Sequence, residues 1–288
     1  MKKHYSFAGV EVSVDIPEQW AYEDERNLAS FRVQEVADPH LFHFQPVDSL
    51  QAPDANLEVL LPGVRVYRRG DTFIRYIGTV NSNWENAYIR VEYGKKEPFV
   101  QVKVCESISR IAVKTVLNSL AVEHLIAENG GFAFHCSYID YQGKAILFTA
   151  PSGTGKSTQA ELWREMRNAE IINGDRAAVC MKDNGLVAAG IPFSGSSSYC
   201  LNRTLPLAAI VYLKQAPQTS IRKLRGIQAF SRIWEGVSVN SWFKEDVERV
   251  SNVVQKAATE IPVYCLACTP DESAVSALEA ALRKQELV

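Results

Sequence analysis

The 288-residue sequence has no apolar run that approaches the length of a membrane-spanning helix and no cluster of lysine and arginine residues. Its first residues, Met1-Lys-Lys-His-Tyr-Ser, carry positive charge but are not followed by the apolar region of a signal peptide. Because the formal net charge at pH 7 is −2, bulk electrostatic attraction to nucleic acid is disfavoured. The sequence therefore predicts a cytoplasmic protein with neither a membrane nor a nucleic acid as its partner.

The sequence also lacks the cysteine spacing of a structural zinc site. Its six cysteines are scattered, and only Cys265 and Cys268 form a C-x-x-C pair, which lies within an apolar run. This pattern favours buried structural thiols, with a redox or metal role as the alternative.

The most informative stretch is A-P-S-G-T-G-K-S at residues 150–157, which fits the P-loop pattern with alanine at the first glycine position. An apolar run at 145–149 precedes it, and the helix-permissive segment 158–167 follows it. The sequence thus predicts a strand, a phosphate-binding loop and a helix in succession. A plain glycine-rich turn is the alternative interpretation.

Each residue type in this loop has a chemical reason to be there. Two glycines let successive backbone N–H groups turn inward around an anion, and Lys156 supplies a positive charge for the terminal phosphates. The hydroxyl of Ser157 is a ligand of the type that holds Mg²⁺ at the start of such a helix. The predicted nucleotide-binding residues are Ser152, Gly153, Thr154, Gly155, Lys156, Ser157 and Thr158.

A second candidate position is Asp175, which ends a short predicted strand nineteen positions after Lys156. One helix and one strand fit in that gap, so Asp175 is expected at the carboxyl end of a strand beside the loop. A carboxylate there holds Mg²⁺ or takes the proton of an attacking hydroxyl. The alternative is an aspartate that caps a helix or closes a turn.

The chain divides by its residue patterns. Residues 1–105 contain several short segments rich in β-branched and aromatic residues, which predict a β-rich N-terminal domain. Five arginines on these segments, at positions 65, 68, 69, 75 and 90, form either solvated strand faces or a positive docking face. Residues 106–288 form the second predicted domain, which begins with a helix at 106–129.

Two further predictions concern the second domain. One strand at 132–139 is expected to carry His135 and to pair with the loop strand in an antiparallel hairpin. Near the C-terminus, Thr269-Pro-Asp-Glu272 is expected to open the last helix as a capping box.

Three features together resemble the C-terminal catalytic domain of HPr kinase/phosphorylase and related kinases: His135, the loop S-G-T-G-K-S and the strand end I-N-G-D-R. The resemblance covers roughly residue 107 to the C-terminus. It implies an α/β fold with a mixed sheet and the nucleotide-binding core shared with phosphoenolpyruvate carboxykinase. It also implies that His135, Lys156 and Asp175 are catalytic. At Asn173-Gly174 the sequence departs from the family, which usually has a pair of acidic residues there.

The expected function is an ATP- and Mg²⁺-dependent kinase, with Ser157 and Asp175 as metal ligands. Its acceptor is expected to be a hydroxyl group on a protein, a peptide or a small molecule, and the N-terminal domain is a candidate for docking it. The alternative is an ATP-binding regulatory or peptide-recognition protein without phosphotransfer. The oligomeric state stays open, a homo-oligomer included. GTPase and ABC-type readings lack support, because neither N-K-x-D nor L-S-G-G-Q is present.

Overall fold

The computed structural model describes residues 1–18, 26–79, 83–93, 99–103, 116, 119–195 and 197–287. The chain separates into two compact units, Met1–Val122 and Glu123–Val288. The domain boundary that the sequence predicts, between 105 and 106, falls in a segment outside the described residues.

The first unit is built on one mixed sheet, which has nine strands among the described residues. In chain order its elements are β1 (Lys2–Phe7), β2 (Val10–Asp15), α1 (Arg26–Ala29), β3 (Arg32–Val33), β4 (His40–Val47), β5 (Asn56–Leu61), β6 (Val64–Arg69), β7 (Thr72–Ile77), β8 (Ile89–Tyr93) and β9 (Phe99–Lys103). The strand order is β3-β1-β2-β4-β9-β8-β7-β6-β5. Strand β4 runs parallel to β2 and to β9, and the other pairs are antiparallel.

The five arginines of this sheet do not form one exposed face. Arg75 and Arg90 are buried, where Arg75 donates to the Tyr93 hydroxyl at 2.9 Å and Arg90 donates to the Tyr76 hydroxyl at 3.1 Å. Arg69 pairs with Asp54 at 2.7 Å. The alternative of one positive docking face is therefore wrong for Arg75 and Arg90, and these two do not lie on solvated strand faces either, because both are buried.

The second unit is mixed α/β. Its elements, from the boundary onward, are α2 (Val122–Glu128), β10 (Gly131–His135), β11 (Ser137–Tyr141), β12 (Lys144–Thr149), α3 (Lys156–Arg167), β13 (Glu170–Asn173), β14 (Arg176–Lys182), β15 (Gly185–Gly190), β16 (Thr204–Gln215), β17 (Ser220–Leu224), α4 (Ile227–Trp234), β18 (Val237–Ser238), α5 (Lys244–Glu260), β19 (Val263–Cys268) and α6 (Glu272–Arg283). The strand order is β13-β11-β12-β16-β15-β14-β10-β18, and β19 pairs with β16 and β17.

Strand β12 lies inside this sheet, between β11 and β16, and its residues alternate between two hydrophobic cores. Ile146 and Phe148 pack in the core that contains Trp163 of α3. Ala145 and Leu147 pack in the core on the other face, which also contains residues of α5. This two-sided burial explains the uninterrupted apolar run, since neither face of the strand meets water.

Two sequence predictions need correction here. The segment 132–139 is not one strand: β10 and β11 are separated at Cys136, and only β11 pairs with β12, while β10 pairs with β14 and β18. The predicted capping box is also absent, because Asp271 is the N-cap of α6 and accepts from the Ser273 N–H at 2.9 Å. Of the helix predicted at 106–129, residues 106–115 and 117–118 lie outside the described part of the chain.

Candidate functional site

A glycine loop (residues 150–155) joins the C-terminal end of β12 to α3. Gly153 and Gly155 have φ angles of 76° and 113°, which favour glycine. Helix α3 begins directly afterwards, and no side chain caps its N-terminus. The first N–H groups of a helix have no partner within the helix, so this end attracts negative charge.

Lys156, the first residue of α3, lies beneath the loop. Its side chain is 8% exposed, and its Nζ donates to the Ala150 carbonyl at 3.0 Å. Burial lowers the pKa of Lys156, while the negative charge of Asp175 opposes that change. Ser157 and Thr158, which follow on the first turn, are exposed.

Asp175 lies in an acidic turn (residues 173–176) between β13 and β14. Strands β12 and β13 are both antiparallel to β11, which lies between them, so they run in the same direction and end at the same edge. Strand β13, which Asp175 follows, does not pair with β12, because β11 lies between them. The Asp175 carboxylate nevertheless lines the same cavity as Lys156.

An imidazole and a guanidinium group flank the Asp175 carboxylate. His135 Nε2 lies 3.6 Å from Oδ1, and Arg176 Nε lies 3.5 Å from Oδ2. The polar contact with His135 lowers the pKa of Asp175; burial opposes this, and the charge of Arg176 adds to the lowering. Asp175 is therefore ionised at neutral pH.

Backbone hydrogen bonds hold His135 beside Asp175. The Cys136 N–H donates to the Asp175 carbonyl at 3.0 Å, and the His135 N–H donates to the Gly236 carbonyl at 2.7 Å. The break between β10 and β11 thus gives His135 its position. His135 does not lie on the strand that pairs with β12.

The sequence does not predict Asn173 as a site residue. It shows only that Asn173 departs from the pattern of the kinase family that the chain resembles. Asn173 is fully buried, and its Oδ1 accepts from the N–H groups of Asp175 and Arg176 at 2.9 and 3.0 Å. Its Nδ2 donates to the carbonyls of Ile191 and Phe193 at 3.2 and 2.7 Å. The Asn-Gly dipeptide, a turn signal, was the clue available in the sequence.

A serine loop (described residues 191–195 and 197–199) closes the third side of the site. Its residues and those of the glycine loop and acidic turn surround a cavity of about 550 Å³. All predicted site residues except Thr154 line it, namely His135, Ser152, Gly153, Gly155, Lys156, Ser157, Thr158 and Asp175. The structure brings these side chains together; their roles remain predictions.

A second cavity, of about 570 Å³, lies on the other side of the glycine loop. It shares Gly153, Gly155 and Thr158 with the first cavity and is also lined by Thr154. Its remaining walls come from Gln159, from the C-terminal ends of β16 and β19 and from the residues that follow these strands, with Leu213, Ala216, Pro217, Cys268 and Pro270 among them.

The C-x-x-C pair takes no part in a metal cluster in the described part of the chain. No group of three or more His, Cys, Asp or Glu side chains that could hold a metal ion occurs among those residues. Cys265 and Cys268 are free thiols on β19, and burial is the main cause that raises the pKa of Cys268.

The second unit is thus a mixed α/β structure with a polar cavity, and a glycine loop precedes the helix that begins at this cavity. The chain belongs to the ScmC family, whose description is "SynChlorMet cassette protein ScmC"; the family model matches residues 104–283. No curated protein matches the sequence. None of the described helices has the length and apolar character needed to cross a membrane.

A solved structure, the Hpr(Ser) kinase/phosphatase from Coxiella burnetii, is similar to part of the chain. The match has 10% sequence identity and a TM-score of 0.34, and it covers 54% of this chain and 90% of the other. A TM-score this low indicates only a distant likeness.

Proposed function

We propose that this protein is an ATP- and Mg²⁺-dependent kinase that transfers a phosphoryl group to a hydroxyl acceptor. One observation carries the proposal: the Lys156 ammonium and the ionised Asp175 carboxylate line the same cavity, at the N-terminus of an uncapped helix. A positive charge and helix N–H groups suit a polyphosphate, and a carboxylate suits the metal or the acceptor.

In this proposal the first cavity holds the acceptor and the second cavity holds the nucleoside of ATP. The polyphosphate of ATP lies against the glycine loop, whose residues both cavities share. The nucleoside occupies the second cavity, where Leu213, Pro217 and Pro270 offer apolar surface to a base. The acceptor hydroxyl enters the first cavity, which contains Asp175.

The donor set fits Mg²⁺ as a partner of ATP. Mg²⁺ is usually held by one or two carboxylates together with substrate phosphates and water, and not by a cage of protein ligands. The exposed Ser157 hydroxyl and the Asp175 carboxylate supply two oxygens of this kind, in the absence of any larger cluster among the described residues. When bound, the ion would neutralise charge on the transferring phosphoryl group.

The ionised Asp175 carboxylate acts on the acceptor hydroxyl from a fixed position. Its lowered pKa makes it a weak base in the resting protein. A weak base is sufficient for phosphoryl transfer, because the transition state is loose and the hydroxyl proton leaves late. His135, whose Nε2 lies 3.6 Å from Asp175 Oδ1, orients the carboxylate.

Phosphate transfer and ATP binding, measured in the same preparations, test this function. Transfer of labelled γ-phosphate from ATP to proteins of a source-cell extract should fall by about 100-fold or more in Asp175→Asn, because the amide is neither a base nor an anion. ATP affinity, measured by calorimetry, should fall strongly in Lys156→Ala and persist in Asp175→Asn.

Two exposed residues provide matched controls. Asp183→Asn, in the turn between β14 and β15, and Lys144→Ala, at the start of β12, should behave as the parent. Unchanged ATP affinity in Lys156→Ala would remove the glycine loop from nucleotide binding. ATP binding by the parent without any transfer would favour the regulatory alternative.

A further inference from the structure

The serine loop contributes hydroxyl groups to the same cavity as Lys156 and Asp175. Ser194, Ser197 and Ser198 all line this cavity. Ser194 is buried, Ser197 is partly exposed and Ser198 is exposed. These hydroxyls are covalently attached to the chain, so they are present at the site at a high effective concentration.

Ser197 is the one that packs directly against the acidic turn. A Cβ atom built on Gly174 would lie 2.1 Å from Ser197 Oγ, so this contact exists only because residue 174 has no side chain. Gly174 immediately precedes Asp175. Ser197 therefore contacts the residue that precedes Asp175, and both Ser197 and Asp175 line the cavity.

The backbone of the serine loop approaches Asp175 as well. A Cβ atom on Gly195 would lie 2.8 Å from Asp175 Cγ, so the loop packs on the carboxyl group itself. The Ser197 N–H donates to the Ser194 carbonyl at 2.9 Å, which closes the loop into a turn. Two close contacts thus fix this turn against the acidic turn.

The hydrogen bonding of Ser197 leaves its hydroxyl proton available. Its Oγ accepts from the Tyr199 N–H at 3.1 Å, which holds the oxygen in position. Among the described residues, no acceptor takes the Ser197 hydroxyl hydrogen. Ser197 is partly exposed and lines the cavity, so its hydroxyl is accessible from the cavity.

We propose that Ser197 is an internal phosphoryl acceptor, so that the protein phosphorylates itself on the serine loop; this rests on the proposed kinase function. Ser197 Oγ forms a bond to the γ-phosphorus of ATP while the bond from that phosphorus to the β,γ-bridging oxygen breaks. The hydroxyl proton passes to the Asp175 carboxylate, and ADP leaves with the bridging oxygen. The product is a phosphoserine that carries close to two negative charges beside Asp175.

The test uses the purified full-length protein, γ-labelled ATP and Mg²⁺, without any other acceptor. The expected result is incorporation of up to one phosphate per chain, located at Ser197 by peptide mass spectrometry. The rate per molecule should not change with protein concentration, because the transfer is intramolecular. Ser197→Ala should reduce the label to background, and Ser197→Thr, which restores a hydroxyl, should recover labelling as phosphothreonine.

Ser198 is the matched comparison, because it belongs to the same loop and is more exposed. Label that disappears in Ser198→Ala and persists in Ser197→Ala overturns the assignment, and so does label on any residue other than 197. Transfer to an extract protein without self-labelling also overturns it while leaving the kinase function intact. If the parent protein neither binds ATP nor transfers phosphate, both the kinase function and the Ser197 proposal are contradicted.

Discussion

At the scale of single residues, Asn173 connects two loops of the site through one buried amide. Its Oδ1 orders the acidic turn, and its Nδ2 binds the carbonyls at the start of the serine loop. The position of Asp175 relative to the serine loop therefore depends on a residue with no proposed chemical role.

Asn173→Ala is expected to destabilise the protein and to impair transfer more than ATP binding. It leaves buried N–H and C=O groups unpaired, which costs about 1–3 kcal/mol for each unsatisfied group that cannot reach water. Transfer should fall because the acidic turn shifts, whereas the glycine loop keeps its own contacts. Urea unfolding, ATP calorimetry and labelled-phosphate transfer measure the three effects.

Asn184→Ala, on the exposed turn between β14 and β15, is the control for this change. If Asn173→Ala matched that control in both stability and transfer, Asn173 would have no positioning role.

At this scale, features that depend on neighbouring residues could be predicted from the sequence, and contacts between distant residues could not. The glycine loop follows from adjacent residues, because loop curvature and helix start depend on short-range geometry. The bonds from Asn173 to Ile191 and Phe193 join residues that the sequence does not place side by side. The same holds for the approach of Ser197 to Gly174, which depends on how two loops pack.

At the scale of elements, Glu279 joins α3, α6 and β11. Its carboxylate accepts from Arg167 Nε at 2.6 Å, from Arg283 Nη2 at 2.7 Å and from the Tyr141 hydroxyl at 2.8 Å. Burial raises the pKa of Glu279, but these three hydrogen bonds outweigh it and lower the pKa from 4.5 to about 2.

Glu279→Gln should therefore destabilise the protein at neutral pH by about 1.5–3 kcal/mol, the range for hydrogen bonds to a charged group. Because the folded-state pKa is lowered, the stabilisation is fully present above pH 4.5 and is lost as the pH falls toward about 2. Urea unfolding of the parent and the variant at several pH values from 7 downward measures the difference.

Glu248→Gln, an exposed position on α5, provides the comparison for Glu279→Gln. A stability difference that stayed constant between pH 7 and pH 3 would show that the charge of Glu279 does not supply the stabilisation.

Most strands and helices of the second unit could be predicted, because their apolar patterns are strong. Strand β12 and helix α3 agree with the apolar run at 145–149 and the helix-permissive segment at 158–167. The break between β10 and β11 could not be predicted, since Phe132 to Ile139 is apolar throughout apart from His135 and Ser137. Pairing partners, and not residue pattern, separate the two strands.

At the scale of the whole molecule, every residue that lines the two cavities belongs to the unit Glu123–Val288. A chain that begins at Ser119 should therefore fold and retain ATP affinity within about threefold of the full-length protein, a change under ~1 kcal/mol. If the first unit docks the acceptor, the shortened chain should lose transfer to extract proteins. ATP calorimetry and labelled-phosphate transfer on both chains measure the two properties.

Circular dichroism is the control for folding of the shortened chain. Full transfer to extract proteins without the first unit would refute its docking role. A folded chain without ATP affinity would show that the second unit needs the first for binding.

Because of the position of β16, the strand that carries the glycine loop gains its second neighbouring strand only late in synthesis. Strand β12, which carries the glycine loop, pairs in parallel with β16, and β16 pairs in parallel with β19. A ribosome that has just completed the glycine loop has therefore made neither strand, and α6, which packs in the core with α3, comes last of all. Until β16, β19 and α6 have been made, the apolar faces of β12 and α3 lack part of the core that covers them. Hydrophobic surface exposed in this way makes a folding intermediate prone to aggregation and a target for chaperones.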